Sequence, residues 1–161
     1  MSIASTKVHW PQGMEPHKCP VYARNELFIR APRERIWELL IAAVHWPEWY
    51  SNSRDVLVHG GGETLTPDAV FDWTTFGLRL KNVRVTEYER GARLSWRASG
   101  LVEAYHSWVL EAVDGGVMVT TEETNRGWAA SLLSWYIRPG LLREHQKWLE
   151  GLARKAVPSE K

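Results

Sequence analysis

The stretch LLREHQKWLEGLARKA, residues 141–156, decides the fold. Apolar side chains recur in it at i, i+3, i+4 and i+7, which is the spacing of one face of an α-helix. Charged side chains fall on the opposite side. The pattern continues more weakly back to Trp128, so we predict one long helix over residues 128–156. Its apolar face is formed by Leu141, Leu142, His145, Trp148, Leu149, Leu152, Ala153 and Ala156.

The chain before this helix alternates between apolar and polar residues in short segments separated by glycine turns, which predicts strands. We predict strands over residues 22–30, 55–59, 70–75, 78–88, 93–98, 102–113 and 116–125. Short turns join the later strands, so the sheet is an antiparallel meander.

Two short helices are predicted between the first and second strands. Ala31-Pro32 begins a helix that stops before Pro47, because proline is preset for the first helical turn and ends a helix elsewhere. The aromatic corner HWPEWY, residues 45–50, forms a second short helix or turn. The predicted fold class is α+β: a curved antiparallel sheet of about seven strands around a long C-terminal helix.

Composition limits the classes of function. The 161 residues suffice for one domain, and a net charge of +1 creates no field that favours nucleic acid or an anionic membrane. No apolar run approaches the ~20 residues that span a bilayer, and residues 1–10 lack the apolar region of a signal peptide. Cys19 is the only cysteine, which excludes an intrachain disulfide. We therefore predict a cytoplasmic protein without a nucleic-acid partner or stable membrane insertion.

The proline-rich N-terminus, residues 1–21, shows no periodicity and predicts an extended arm that packs on the domain through Val8 and Trp10. Its His9, His17 and Cys19 match no zinc spacing, so we interpret them as surface residues. Residues 22–157 form the single domain, and residues 158–161 form a polar tail.

Ten tryptophans are the unusual feature of the composition. They build either an aromatic core or the wall of a pocket for a flat apolar ligand, because indole rings favour burial. Strand alternation places Phe71, Trp73 and Thr75 on one face, and Trp96 on the same face of another strand. We expect these side chains to point at the helix, with Trp108 between them.

A pair of polar residues follows from the register of the last hairpin. Asp-Gly at residues 114–115 is a strong signal for a two-residue turn. Counting back from this turn places Trp108 opposite Thr121 and His106 opposite Glu123. Because a one-residue slip would turn every apolar residue outward, His106 and Glu123 should be inward neighbours with Cβ atoms within ~5.5 Å.

An acid and an imidazole on the face that holds the helix admit two interpretations. They orient a ligand or act as an acid/base pair in a cavity, or they form a mutually satisfied buried polar pair. His145 on the helix raises the same alternatives. His106, Glu123 and His145 also have the composition of a metal site. Nothing in the sequence fixes His145 within coordination distance, so we expect no metal and no cofactor.

Several segments together resemble the START-related superfamily, and bacterial polyketide cyclase/dehydrase-like members are the most similar. The resemblance covers about residues 22–155. It is carried by the order of elements and by APRERIWELL (31–40), HWPEWY (45–50), AYHSWVLEAVDGG (104–116), VTTEETNRG (119–127) and HQKWLEGLARK (145–155).

The resemblance implies a helix-grip fold with a deep cavity between the sheet and the long helix. It also implies an entrance bordered by Trp46, Trp49 and Tyr50 of the corner, the glycine loop at residues 60–62 and the turn at residues 75–77. No motif maps residue by residue onto the catalytic groups of the aromatic cyclases in this superfamily.

We therefore expect the cavity to bind a hydrophobic, aromatic or polycyclic small molecule, polyketide-, sterol- or acyl-like. The alternative is an enzyme of the polyketide cyclase/dehydratase type with His106 and Glu123 as its catalytic acid/base pair. A third hypothesis makes the exposed HWPEWY corner a surface for a partner protein. The expected ligand-binding residues are Trp49, Tyr50, Phe71, Trp73, Thr75, Trp96, His106, Trp108, Thr121, Glu123, Trp128 and His145.

Overall fold

A seven-stranded antiparallel sheet and a 29-residue helix make up most of the computed structural model, which describes residues 8–158. The strands are β1 (Val21–Ile29), β2 (Ser53–Val58), β3 (Val70–Thr75), β4 (Leu78–Glu89), β5 (Arg93–Ser99), β6 (Glu103–Val113) and β7 (Gly116–Arg126). The helices are α1 (Arg33–Ile41) and α2 (Trp128–Ala156), with 3₁₀ turns at Pro16–Lys18 and Ala43–Glu48. The predicted α+β class and order of elements are confirmed.

The strand order is β1-β7-β6-β5-β4-β3-β2. The last strand therefore pairs with the first, and each strand from β3 to β7 pairs with the strand before it in the chain. The predicted register of the last hairpin is confirmed, with Val113 opposite Gly116 and His106 opposite Glu123. A bulge lies near Asn82. The register between β3 and β4 shifts there, and Asn82 has a φ of 55°.

The HWPEWY corner forms a 3₁₀ turn that is buried against the core. Trp46 is fully buried and its indole N–H donates to the Leu40 carbonyl oxygen at 3.0 Å. The Tyr50 ring is also buried, at 2% exposure. The hypothesis of an exposed aromatic corner that binds a partner protein is therefore wrong, because both rings supply packing area to the core.

Helix α2 crosses this corner at Gly151. A Cβ atom at that position would lie 2.3 Å from the Trp49 carbonyl oxygen, so only glycine permits the observed approach. The apolar face of α2 then lies on the sheet, where Trp148, Leu149 and Leu152 are fully buried or nearly so. The crossing therefore brings α2 into close contact with the corner.

The described part of the N-terminal arm lies on the outer face of the sheet. Val8 and Met14 pack with Tyr105 and Val109, and Trp10 lies against the same cluster. Val21 already belongs to β1, one residue inside the predicted arm. Expectations for residues 1–7 of the arm and 159–161 of the tail lie outside the described residues. No helix within residues 8–158 has the length and apolar character that a bilayer crossing requires.

Candidate ligand-binding cavity

A cavity of about 520 Å³ separates the sheet from α2. Small side chains make room for it, since Ala98 of β5 and Ala104 of β6 are cross-strand partners and both line the cavity. Ala129 and Gly140 line it from the helix. The hollow therefore forms where alanine and glycine replace bulky residues on both of the elements that face each other.

Beside the cavity, aromatic side chains fill much of the space between the sheet and the helix. Trp148 of α2 stacks on Tyr50 with ring centroids 4.6 Å apart and planes 5° apart. Its ring also meets Trp108 edge-on at 4.9 Å and Trp46 edge-on at 5.2 Å. The tryptophans thus serve both purposes that the composition suggested, because some fill the core and others border the cavity.

A polar cluster lies between these two regions, where β6, β7 and α2 meet. The Glu123 carboxylate is its centre: Oε2 lies 3.3 Å from His106 Nδ1 and 3.0 Å from His145 Nε2. The other carboxylate oxygen, Oε1, accepts a hydrogen bond from Asn125 Nδ2 at 2.9 Å. His106 Nε2 lies 2.6 Å from Thr121 Oγ1. All three members, His106, Glu123 and His145, line the cavity.

Burial and neighbouring groups together determine the protonation of His106 and Glu123. Desolvation first, and the neighbouring His145 second, lower the pKa of His106 to about 3. Burial alone would raise the pKa of Glu123, but the hydrogen bond from His145 and the nearby His106 outweigh it and hold that pKa below its usual range. At neutral pH the cavity therefore presents an ionised carboxylate beside a neutral His106 imidazole.

The structure places part of the expected ligand-binding set in the cavity wall. Those residues are Tyr50, Trp73, Thr75, Trp96, His106, Glu123 and His145. They share inward-facing positions near the part of the sheet where Ala98 and Ala104 leave space. A molecule that occupied the cavity would therefore meet aromatic rings and the polar cluster together.

Other expected residues lie outside the wall, for separate physical reasons. Phe71 and Trp108 are fully buried in the aromatic core. Strand alternation correctly predicted that both side chains point inward, but it could not predict that they lie away from the cavity. Thr121 stands behind His106, and Trp49 lies against Gly151. Trp128 is 72% exposed at the start of α2, where its side chain points to solvent.

The entrance differs from the one implied by resemblance. Thr75 and Phe76 border the cavity, whereas the glycine loop at residues 60–62 does not line it. The first half of α2 supplies lining residues that sequence analysis missed, among them Trp135, Tyr136 and Pro139. Trp135 and Tyr136 lie outside the main apolar face of α2. Large apolar side chains outside that face were the feature of the sequence that could have indicated a second contact surface on the helix.

Solved structures provide the comparisons. The hypothetical protein jhp0584 from Helicobacter pylori is 28% identical and superposes with a TM-score of 0.86, covering 95% of this chain and 98% of that one. The di-domain ARO/CYC StfQ from the steffimycin biosynthetic pathway is 15% identical with a TM-score of 0.68, covering 84% of this chain and 50% of StfQ. Ara h 8.0201 is 12% identical with a TM-score of 0.67, covering 84% of this chain and 96% of that one.

No family model matches the chain, and no curated protein matches it. The structural similarities agree with the observed seven-stranded antiparallel sheet, long C-terminal helix and short helices after the first strand. The chain therefore has a helix-grip α+β fold.

Proposed function

We propose that the protein binds a flat, hydrophobic small molecule, aromatic or polycyclic and polyketide-, sterol- or acyl-like, between the sheet and α2. The observation that carries this proposal is the cavity of about 520 Å³. Its volume lies within the range of roughly 300–1,000 Å³ that is usual for small-molecule sites. The ARO/CYC StfQ, whose fold this chain shares, belongs to a biosynthetic pathway for steffimycin, which supports a ligand of this class.

The lining chemistry also favours such a ligand. Trp73 and Trp96 present indole rings to the cavity, and Ala98 and Ala104 leave a broad wall beside them. Ring faces and small apolar side chains complement a flat apolar body. The polar cluster then offers one anchor, since the ionised Glu123 carboxylate is an acceptor for a hydroxyl group of the ligand.

The alternative is a cyclase or dehydratase in which His106 and Glu123 act as acid and base. Their position supports it, because both side chains reach the cavity and lie 3.3 Å apart. Their protonation supports it less, because an imidazole with a pKa of about 3 is neutral and the carboxylate is ionised, so the pair lacks a general acid at neutral pH. We therefore favour binding over acid/base catalysis by this pair.

The proposal is tested by ligand binding to a cavity-filling variant. Ala104→Phe places a ring in the hollow, while Ala112→Phe changes an exposed alanine of the same strand and serves as the matched control. Native mass spectrometry and solvent extraction of purified protein detect a co-purifying molecule. Quenching of tryptophan emission by anilinonaphthalene sulfonate measures occupancy of the cavity.

We expect the wild type and the Ala112→Phe variant to bind the probe, and the Ala104→Phe variant to lose at least about tenfold in affinity because the ring occupies the site. Equal binding by all three proteins, together with no co-purifying molecule, would contradict the proposal.

A further inference from the structure

We propose that His106, Glu123 and His145 bind one zinc ion at the inner end of the cavity. Three donor atoms from these residues lie within 4.8 Å of one another. Two histidines and one carboxylate are a common donor set for zinc in sites that keep a further position open to a bound molecule. This inference reverses the expectation from sequence, which could not place His145.

The distances suit a zinc ion. Donor atoms that bind one tetrahedral zinc ion at about 2.0–2.2 Å stand roughly 3.3 Å apart. Glu123 Oε2 is 3.3 Å from His106 Nδ1 and 3.0 Å from His145 Nε2. Two sides of the donor triangle therefore already have the required length. The third side is at most 4.8 Å, so zinc binding would require the two imidazole donors to move closer together by up to about 1.5 Å.

Neighbouring side chains form hydrogen bonds that orient two of the donor residues, His106 and Glu123. Thr121 Oγ1 lies 2.6 Å from His106 Nε2, which leaves Nδ1 directed at Glu123. Asn125 donates to Glu123 Oε1 at 2.9 Å, which leaves Oε2 directed at both histidines. Such outer hydrogen bonds orient metal ligands and fix the imidazole tautomer in zinc sites.

Among residues 8–158, the ion-pair partners of the buried Glu123 carboxylate are His106 and His145. Within the same range, no lysine or arginine forms an ion pair with the buried Glu123 carboxylate. Arg143 also lines the cavity, but its guanidinium lies against Glu144 at 3.3 Å. A divalent cation bound by all three side chains would supply a fixed opposite charge to the buried carboxylate.

The location gives the ion access to a ligand. All three donors line the cavity, and Trp96 and Trp148 line it beside them. An ion with three protein ligands retains a coordination position toward the cavity, where an oxygen donor such as an enolate, phenolate or carboxylate would bind. The site thus combines a metal with apolar walls that hold the remainder of a flat molecule.

The test is metal titration of untagged protein without any hydrophobic ligand, so its outcome is independent of the proposed function. Protein is stripped with a chelator, and Zn²⁺ binding is followed by calorimetry. Co²⁺ replaces Zn²⁺ for absorption spectroscopy, because its visible bands report low coordination and nitrogen donors. The variants are Glu123→Gln, His145→Ala and Thr121→Val, and His59→Ala is the control, because His59 forms an exposed pair with Asp72 at 2.8 Å.

We expect one equivalent of Zn²⁺ to bind to the wild type and to the His59→Ala variant, with loss of that equivalent in Glu123→Gln and His145→Ala. The Thr121→Val variant should bind about 10–100-fold more weakly, because Thr121 only orients His106. Circular dichroism checks the fold of each variant. Absence of stoichiometric binding by the wild type, or binding that the ligand variants leave unchanged, would overturn the proposal whether or not those variants fold.

Discussion

His145 Nε2 and Glu123 Oε2 lie 3.0 Å apart, so a polar contact joins helix α2 to strand β7 inside the cavity. Other polar contacts of the helix with the sheet lie at the edge strand β1, where Asn25 Nδ2 donates to the Leu142 carbonyl oxygen at 3.0 Å. The His145–Glu123 contact therefore helps to fix the rotation of α2 at the point where the cavity begins. The stability of the packing between α2 and the sheet therefore depends on the same residues that line the cavity.

Replacing His145 by leucine removes that contact and leaves the Glu123 carboxylate with the neutral His106 beside it. We expect a loss of about 1–3 kcal/mol in the free energy of unfolding, because a buried acceptor loses a partner. Urea unfolding at pH 7 with a chelator present measures the loss without any contribution from metal. His59→Leu, at an exposed ion pair, should change stability by less than about 0.5 kcal/mol. Equal losses of unfolding free energy in the two variants would show that the buried His145–Glu123 contact stabilises the protein no more than an exposed ion pair does.

Trp148 and Trp135 lie on the same helix and offer a matched pair of tryptophans. Trp148 is buried among aromatic rings, whereas Trp135 is 74% exposed at the rim of the cavity. Trp148→Ala should cost about 3–5 kcal/mol of stability because it opens a large hole in the core. Trp135→Ala should cost less than about 0.5 kcal/mol but weaken binding of an apolar probe. Chemical denaturation and probe titration separate the two effects, and a strongly destabilised Trp135→Ala variant would refute this division of roles.

The register of the last hairpin could be predicted because two independent signals agree. The Asp-Gly turn sets which residues face each other, and apolar alternation sets which face is inward. These two signals suffice to pair His106 with Glu123 on the inward face. The fold class followed likewise from strand periodicity and from the strong amphipathic pattern of α2.

The residues that line the cavity, and the strand residues that His145 meets, could not be predicted, for a geometric reason. A helical stripe shows which side of α2 is buried, but not which strand each residue meets along the sheet. That position depends on the close crossing of Gly151 over Trp49, a tertiary contact without a local sequence signal. In the same way, alternation placed Trp108 inward but could not show that Ala98 and Ala104, rather than the tryptophans, open the hollow.

Gly151 and Gly140 provide a second matched pair, for the close crossing itself. Alanine favours helix over glycine by about 1 kcal/mol, so both substitutions should stabilise α2 if no contact intervened. A Cβ at Gly151 would meet the Trp49 carbonyl oxygen at 2.3 Å, whereas a Cβ at Gly140 would meet nothing within 4 Å. We expect Gly140→Ala to raise stability by about 0.5–1 kcal/mol and Gly151→Ala to lower it by about 1–3 kcal/mol. Thermal and urea unfolding of both variants measure this difference in sign, and stabilisation by Gly151→Ala would exclude a tight crossing.

Glu103 links two strand arginines at the end of the sheet where the N-terminal arm lies. Its Oε1 accepts a hydrogen bond from Arg97 Nε at 2.7 Å, and its Oε2 accepts one from Arg126 Nε at 2.5 Å. These bonds, that from Arg126 foremost, hold the pKa of Glu103 below its usual range despite partial burial. Arg126 also donates to the Gly13 carbonyl oxygen at 3.1 Å, so the carboxylate helps to position the arm.

The pH dependence of stability follows from that lowered pKa. A carboxyl group whose pKa is lower in the folded state contributes its full stability above the unfolded value of about 4.3, and loses it as the pH falls through the folded value. We expect Glu103→Gln to be about 0.5–1 kcal/mol less stable than wild type at pH 7, a modest loss because the side chain is 27% exposed. The difference in unfolding free energy between the two proteins should narrow below about pH 4, because the wild-type carboxyl group is then protonated and resembles the neutral glutamine. Urea unfolding of both proteins across this range measures the gap, and a difference that stays constant or widens in acid would mean that Glu103 does not titrate as its arginine partners require.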